Sequence, residues 1–243
     1  MEINISANGD ELSLKVADWL VQYIAGVLKQ SDRFTISLSG GSTPRKLFRL
    51  LASEKYKNSI EWAKLHFFWG DERFVPFADE RNNARMTFEE LLDLVPVRKE
   101  QVYIMRTDLS PEAAVTAYNA ILHQYFKDSG PSFDLVFLGL GDNAHTLSLF
   151  PGYEVVHENE KWVTAFFLEE QDMFRITLTA AIVNRSAAVA FLVTGADKAE
   201  AVKEILEGKS DPDKYPAQVI KPVDGTLYWF LDEAAASDLT KNR

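Results

Sequence analysis

A histidine set behind a pair of glycines is the first chemical feature of this sequence. In Gly139-Leu140-Gly141-Asp142-Asn143-Ala144-His145 the glycines allow a tight fold that projects His145 from the backbone. Imidazole has a reference pKa of about 6.5, so His145 suits general-base work near neutrality. The stretch also contains Gly-x-Gly-x-x-Ala, a dinucleotide signature, but Pro151 and Gly152 cut off the long helix that such a signature needs. His66, His123 and His157 stand at a strand start, inside a helix and in a polar loop, and read as structural. A second kind of chemistry is offered by Ser39-Gly40-Gly41-Ser42-Thr43-Pro44. Its glycines admit a ligand close to the backbone, and the N–H groups and hydroxyls of a helix start favour an anion such as phosphate. The same residues also suit a plain strand-to-helix turn with a hydroxyl cap. No Gly-Lys-Ser/Thr follows, so this is not a nucleotide P-loop. Asp71-Glu72-Arg73 places three charges directly after a strand, as a substrate contact or as a solvated loop. Lys198, in Thr194-Gly195-Ala196-Asp197-Lys198, lies near a helix N-terminus, where the dipole disfavours a cation unless an anion binds beside it.

These loops need a frame that brings them together. Leu12, Val16, Trp19, Leu20, Tyr23, Ile24 and Val27 recur at helical spacing, which predicts a helix over 11–29. Further helices are expected from 42, from 83 to about 94, over 110–127, and over 197–207 with Gly208 closing the last. Strands are expected at 34–38, 65–69, 102–105, 133–140, 162–167, 175–178, 188–193 and 226–231. Residues 133–140 and 188–193 are almost wholly apolar, as in strands buried on both faces of a parallel sheet. The alternation implies an α/β fold, a mostly parallel sheet flanked by helices. With no linker and no repeat, one continuous domain over 1–243 is expected. Ligands in such folds sit at the carboxyl ends of the strands, and all four loops follow strands.

Composition narrows the function. Hydrophobic residues make up 47% and charged residues 26%, an ordinary globular balance. The net charge of −10 argues against a nucleic-acid binder, so an anionic small molecule would need a local basic pocket. Cysteine is absent, which removes disulfides, thiolate metal sites and a cysteine nucleophile. Neither His-Glu-x-x-His nor Gly-x-Ser-x-Gly occurs, so no metal site and no serine triad is expected. Residues 1–13 carry no apolar run and the longest apolar stretch, 187–193, is too short for a membrane span, so neither a signal peptide nor a membrane partner is expected. The absence of cysteine is compatible with the cytoplasm, the expected compartment.

In combination these residues resemble the 6-phosphogluconolactonase family. The resemblance runs in order through residues 39–44, Asp71-Glu72-Arg73 with Val75-Pro76, Asn83, residues 139–151, Arg175-Ile176-Thr177-Leu178-Thr179 and Gly195-Ala196-Asp197-Lys198. It implies a Rossmann-like domain similar to sugar-phosphate isomerases and deaminases. It also implies hydrolysis of 6-phospho-D-glucono-1,5-lactone to 6-phosphogluconate, a step of the oxidative pentose phosphate pathway, with no cofactor. By the same resemblance His145 is the base. Gly40, Gly41, Ser42, Thr43, Arg73 and Lys198 hold the phosphate, and Asp71, Glu72, Asn83 and Arg175 are further substrate contacts. The family usually reads Glu-Asp-Gly-His where this chain has Asp142-Asn143-Ala144-His145, so either Asn143 or Asp142 is expected to orient the base. Two other readings remain at this level. One is a glucosamine-6-phosphate deaminase or isomerase, which typically continues Ile-Ala-Phe-Asn-Glu-Pro after the histidine, where this chain has Thr146-Leu147-Ser148-Leu149-Phe150-Pro151. The other is a non-catalytic sugar-phosphate-binding module.

Overall fold

The computed structural model describes residues 1–127 and 130–240. In chain order the main elements are β1 (Glu2–Ser6), α1 (Gly9–Val27), β2 (Phe34–Leu38), α2 (Ser42–Leu51), α3 (Glu54–Lys57), β3 (Leu65–Trp69), β4 (Asp71–Arg73) and α4 (Asn83–Thr87). There follow β5 (Val102–Tyr103), α5 (Pro111–Tyr125), β6 (Leu135–Leu138), β7 (Val163–Leu168), β8 (Met173–Leu178), α6 (Ala180–Val183), β9 (Ala188–Val193), α7 (Ala199–Leu206) and β10 (Thr226–Asp232). Seven strands form a parallel sheet in the order β1-β10-β9-β6-β2-β3-β5. Its central strands β2, β6 and β9 are buried at every position, as continuous apolar runs require.

Side chains alternate between the two faces, and each face has its own core. Ile36, Phe67, Phe137, Ala190 and Phe230 face α1 and α2, together with Leu12, Val16, Leu47 and Phe48. Phe68, Val136, Leu138, Phe191 and Trp229 face the other way, against Tyr118 and Leu122 of α5 and Val202 of α7.

The chain runs outward from β2 to β3 and β5 on one side, and from β6 to β9 and β10 on the other. The β2–β6 seam is therefore a topological switch point, where the loops after the two strands part and leave a crevice. At the other end of the seam, where the two strands begin, Asp134 Oδ2 accepts the Thr35 backbone N–H and hydroxyl, both at 2.7 Å.

Several expectations are corrected here. The charged run Asp71-Glu72-Arg73 is not a loop but β4, which pairs antiparallel with β8. With β7 it makes a separate three-stranded antiparallel sheet, so the segments expected at 162–167 and 175–178 lie outside the parallel sheet. Strand β1 was not expected, although Ile3 and Ile5 alternate with polar residues; it is a short edge strand paired only with β10. The helix expected from 83 to 94 is α4 followed by one π-helical turn, Phe88–Leu92. The strand expected over 133–140 spans only Leu135–Leu138. Gly208 closes the last helix as expected, its N–H donating to the Glu204 carbonyl at 3.2 Å, and it does so without a positive φ. No helix among the described residues is long and apolar enough to cross a membrane.

Candidate active site

The four loops singled out in the sequence meet at the carboxyl ends of β2, β3, β6 and β9 and enclose a cavity of about 230 Å³. Gly40, Gly41, Ser42, Thr43, Asp71, Arg73, Asn83, His145, Arg175 and Lys198 all line it. Asp142, Asn143 and Glu72 do not.

His145 is half-buried with its ring stacked on Phe150, centroids 4.1 Å apart. Its ring Nδ1 lies 2.5 Å from Asn143 Oδ1, and its backbone N–H donates to the same oxygen at 3.3 Å. An amide oxygen only accepts, so the ring carries its proton on Nδ1 and keeps the Nε2 lone pair. Burial pushes His145 down to about 4; the Asp71 charge opposes this, Arg175 reinforces it, and Asp142 and Lys198 act more weakly in opposite senses. The imidazole is therefore neutral at neutral pH, in the form that accepts a proton. Gly141 is required by this packing, since a Cβ there would lie 2.0 Å from His145 Nδ1. Asp142 instead accepts the Asn143 backbone N–H and reaches the ring only through space.

Ala144 replaces the glycine usual at its position and has φ of 62°, in the left-handed region that disfavours a Cβ. It is held there with its methyl buried, its N–H bonded to the Gly141 carbonyl and its own carbonyl accepting from Ala217.

The anion side is built by α2. Gly41 is its N-cap, with no side-chain cap, so the hydroxyl cap expected of this turn is absent, and Gly41 and the first-turn residues Ser42 and Thr43 line the cavity. Thr43 Oγ1 instead bonds Thr194 Oγ1 at 2.9 Å, tying the loop after β2 to the loop after β9. Gly40 is required by a close approach, because a Cβ there would lie 1.9 Å from Asn83 Oδ1. Asn83 is itself fixed by donating from Nδ2 to the Asp71 carbonyl. Lys198 already has an anion, Asp197 at 2.8 Å, and its side chain is 20% exposed.

Glu72 corrects the expectation of a substrate contact. It is 1% exposed and turned away from the cavity. Its carboxylate accepts the backbone N–H groups of Arg73, Asn83 and Ala84 at 2.7–2.9 Å, so it braces β4 against the start of α4. Burial pushes its carboxyl up to about 7, against the pull of those donors.

Three site-building residues were given no role from the sequence, although Ser148 and Thr194 lie within its quoted motifs. Ser148 donates to Asp71 Oδ2 at 2.7 Å from a fully buried position. Thr194 makes the bond to Thr43, and Asp232 at the end of β10 accepts the Gly195 and Ala235 N–H groups. A carboxylate closing an apolar strand was the one available signal for Asp232. His66, His123 and His157 bond or stack elsewhere, with Tyr125, Asn119 and Trp162, and Asp213.

A parallel sheet with a histidine and a helix N-terminus meeting at its switch point defines an α/β site of the kind that lies at the carboxyl ends of the strands. The chain belongs to the family described as glucosamine-6-phosphate isomerases/6-phosphogluconolactonase, whose pattern matches residues 7–229. A 6-phosphogluconolactonase of Nostoc sp. is 35% identical over 92% of this chain and 92% of its own length. The solved 6-phosphogluconolactonase of Trypanosoma brucei is 29% identical with a TM-score of 0.88, covering 98% of each chain. A monomeric glucosamine-6-phosphate deaminase shares the fold, with a TM-score of 0.84 over 98% of this chain and 100% of its own, at 19% identity.

Proposed function

We propose that this chain is a 6-phosphogluconolactonase, which hydrolyses 6-phospho-D-glucono-1,5-lactone to 6-phosphogluconate and acts in the cytoplasm. The observation that carries the mechanism is the neutral His145, held by Asn143 with its Nε2 lone pair free, in one cavity with the start of α2. The phosphate sits at the N–H groups and hydroxyls of residues 41–43, where the helix dipole favours an anion, with Arg73 and Lys198 supplying charge. Holding the unreactive end orients the lactone, so binding energy far from the reacting carbon lowers the barrier. His145 takes a proton from water as its oxygen attacks C1. The resulting imidazolium returns that proton to the ring oxygen as the C1–O bond breaks. Asn143 keeps the ring in the required tautomer throughout.

The test is hydrolysis of freshly made phospholactone, with the spontaneous rate subtracted, beside ammonia release from glucosamine 6-phosphate. Lactone turnover without ammonia is expected, and ammonia release without lactone turnover would reverse the assignment. His145→Ala should lower turnover by at least about 100-fold, the low end of general-base contributions, while still binding 6-phosphogluconate by calorimetry. Turnover near that of the unaltered enzyme would remove His145 from the reaction.

A further inference from the structure

Two arginines face each other across the small sheet. Arg73 of β4 and Arg175 of β8 are directly opposite in the antiparallel register, and both line the cavity. Like charges opposed in this way destabilise a sheet unless something negative lies between them. The neighbouring carboxylate, Asp71, stands 3.6 Å from Arg175 Nη1 and also receives the Ser148 hydroxyl. Both arginines bury an Nε that has no hydrogen-bond partner. A buried N–H left unpaired is costly, and both side chains line the cavity, so a ligand oxygen reaching either Nε would complete its hydrogen bonding.

The two arginines are not equivalent. Arg73 leans outward, its Nη1 donating to the Arg81 carbonyl, in the open groove of Arg45, Arg49 and Arg81 beside the α2 N-terminus. Arg175 is 4% exposed, with Nη2 held by Gln171 Oε1 at 2.6 Å and Nη1 beside Asp71. It shares a neighbour with the base, since Phe150 carries the Arg175 guanidinium 5.6 Å from its centroid and stacks on His145. Its charge also acts on His145 more strongly than that of Lys198. Arg73 thus belongs to the anion-holding end and Arg175 to the reacting end.

Resting on the lactonase reading, we infer that Arg175 is the oxyanion donor: its free Nε–H bonds the carbonyl oxygen of C1 as negative charge builds there. When the water oxygen bonds C1, its proton passes to His145 and the C=O π pair moves onto the carbonyl oxygen, opposite the guanidinium. Collapse restores C=O, breaks the bond from C1 to the ring oxygen, and moves the proton from His145 to that oxygen. Asp71 and Gln171 are positioning residues. They fix Nη1 and Nη2 so that Nε meets the oxyanion without reorganising.

The test compares Arg175→Lys with Arg73→Gln. Removing one oxyanion donor costs about 10²–10³-fold in rate. Arg175→Lys should therefore lower kcat by that factor, leave KM and calorimetric binding of 6-phosphogluconate within a few-fold, and lose as much on unphosphorylated glucono-1,5-lactone. Arg73→Gln should raise KM for the phospholactone alone. Loss of 6-phosphogluconate binding in Arg175→Lys with unphosphorylated lactone unaffected would overturn the inference and make Arg175 a phosphate ligand. An unchanged kcat would overturn it as well. Should Arg175→Lys not fold, Gln171→Ala at an exposed position releases Nη2 without removing charge. It should lower kcat on both lactones, and an unchanged kcat there would also overturn the inference. Absence of lactone hydrolysis in the unaltered enzyme would instead remove the lactonase reading on which it rests.

Discussion

Asn143 stands where relatives usually carry an aspartate, and its amide oxygen still takes both the ring and backbone N–H groups of His145. Geometry is kept and charge is lost. An aspartate beside an imidazole favours the protonated ring, so its replacement leaves burial to dominate and holds His145 near 4. The acidic limb of kcat/KM, which reports the free enzyme, should lie at correspondingly low pH. Asn143→Asp puts a negative charge against Nδ1 and should raise that limb by about one unit or more. Asp142→Asn removes a charge that favours the imidazolium and should lower the limb slightly. A pH profile of kcat/KM for the three proteins checks both directions. An Asn143→Asp profile that overlays the unaltered enzyme would show that charge at 143 is not coupled to the base. Histidine as the base was legible from its glycine-rich setting. The left-handed Ala144 was not, because nothing in a sequence shows that two hydrogen-bonded neighbours, Gly141 and Ala217, will hold an alanine where glycine is normal.

Elements place these residues, and β4 is the clearest case of one that the sequence hides. Three consecutive charges carry no apolar alternation, yet Asp71 and Arg73 point to the cavity while Glu72 points into the body of the protein. What makes them a strand is pairing with β8, more than a hundred residues later. Glu72 then joins β4 to α4 through three backbone N–H groups. Its carboxyl stands near 7 in the folded protein against an ordinary value of 4.5, so the unfolded chain ionises first as pH rises. Its contribution to stability is full below about 4.5 and is lost as pH climbs through 7. Glu72→Gln does not titrate and sets one amide N–H₂ against a backbone donor, so it should be destabilised by about 1–3 kcal/mol at pH 5. That deficit should shrink by about 2 kcal/mol between pH 5 and 8. Urea unfolding at the two values measures it, and a deficit that grows with pH would mean that the carboxylate is stabilised as an anion.

At the level of the whole molecule, the parallel frame was readable because its strands are buried on both faces. The periodicity placed β2, β3 and β9 end to end at 34–38, 65–69 and 188–193. It did not show that the strands near 162–167 and 175–178 pair with β4 in a sheet of their own, nor side-chain pairs such as Ser148 with Asp71, which join residues 77 positions apart. The seam between β2 and β6 has a kinetic consequence. The Thr35–Asp134 latch spans 99 residues and joins the starts of β2 and β6, the two strands that lead on to the loops carrying Gly41 and His145. Contacts so distant along the chain close late, after local helices such as α1 and α5 have formed. On dilution from urea, far-ultraviolet circular dichroism should recover ahead of lactone turnover, and Asp134→Ala, which removes the latch, should slow the return of turnover more than that of the helical signal. Simultaneous recovery would place seam closure among the earliest events. Otherwise the last step of self-assembly is the one that creates the catalyst, and regained activity is a direct clock for the meeting of the two halves.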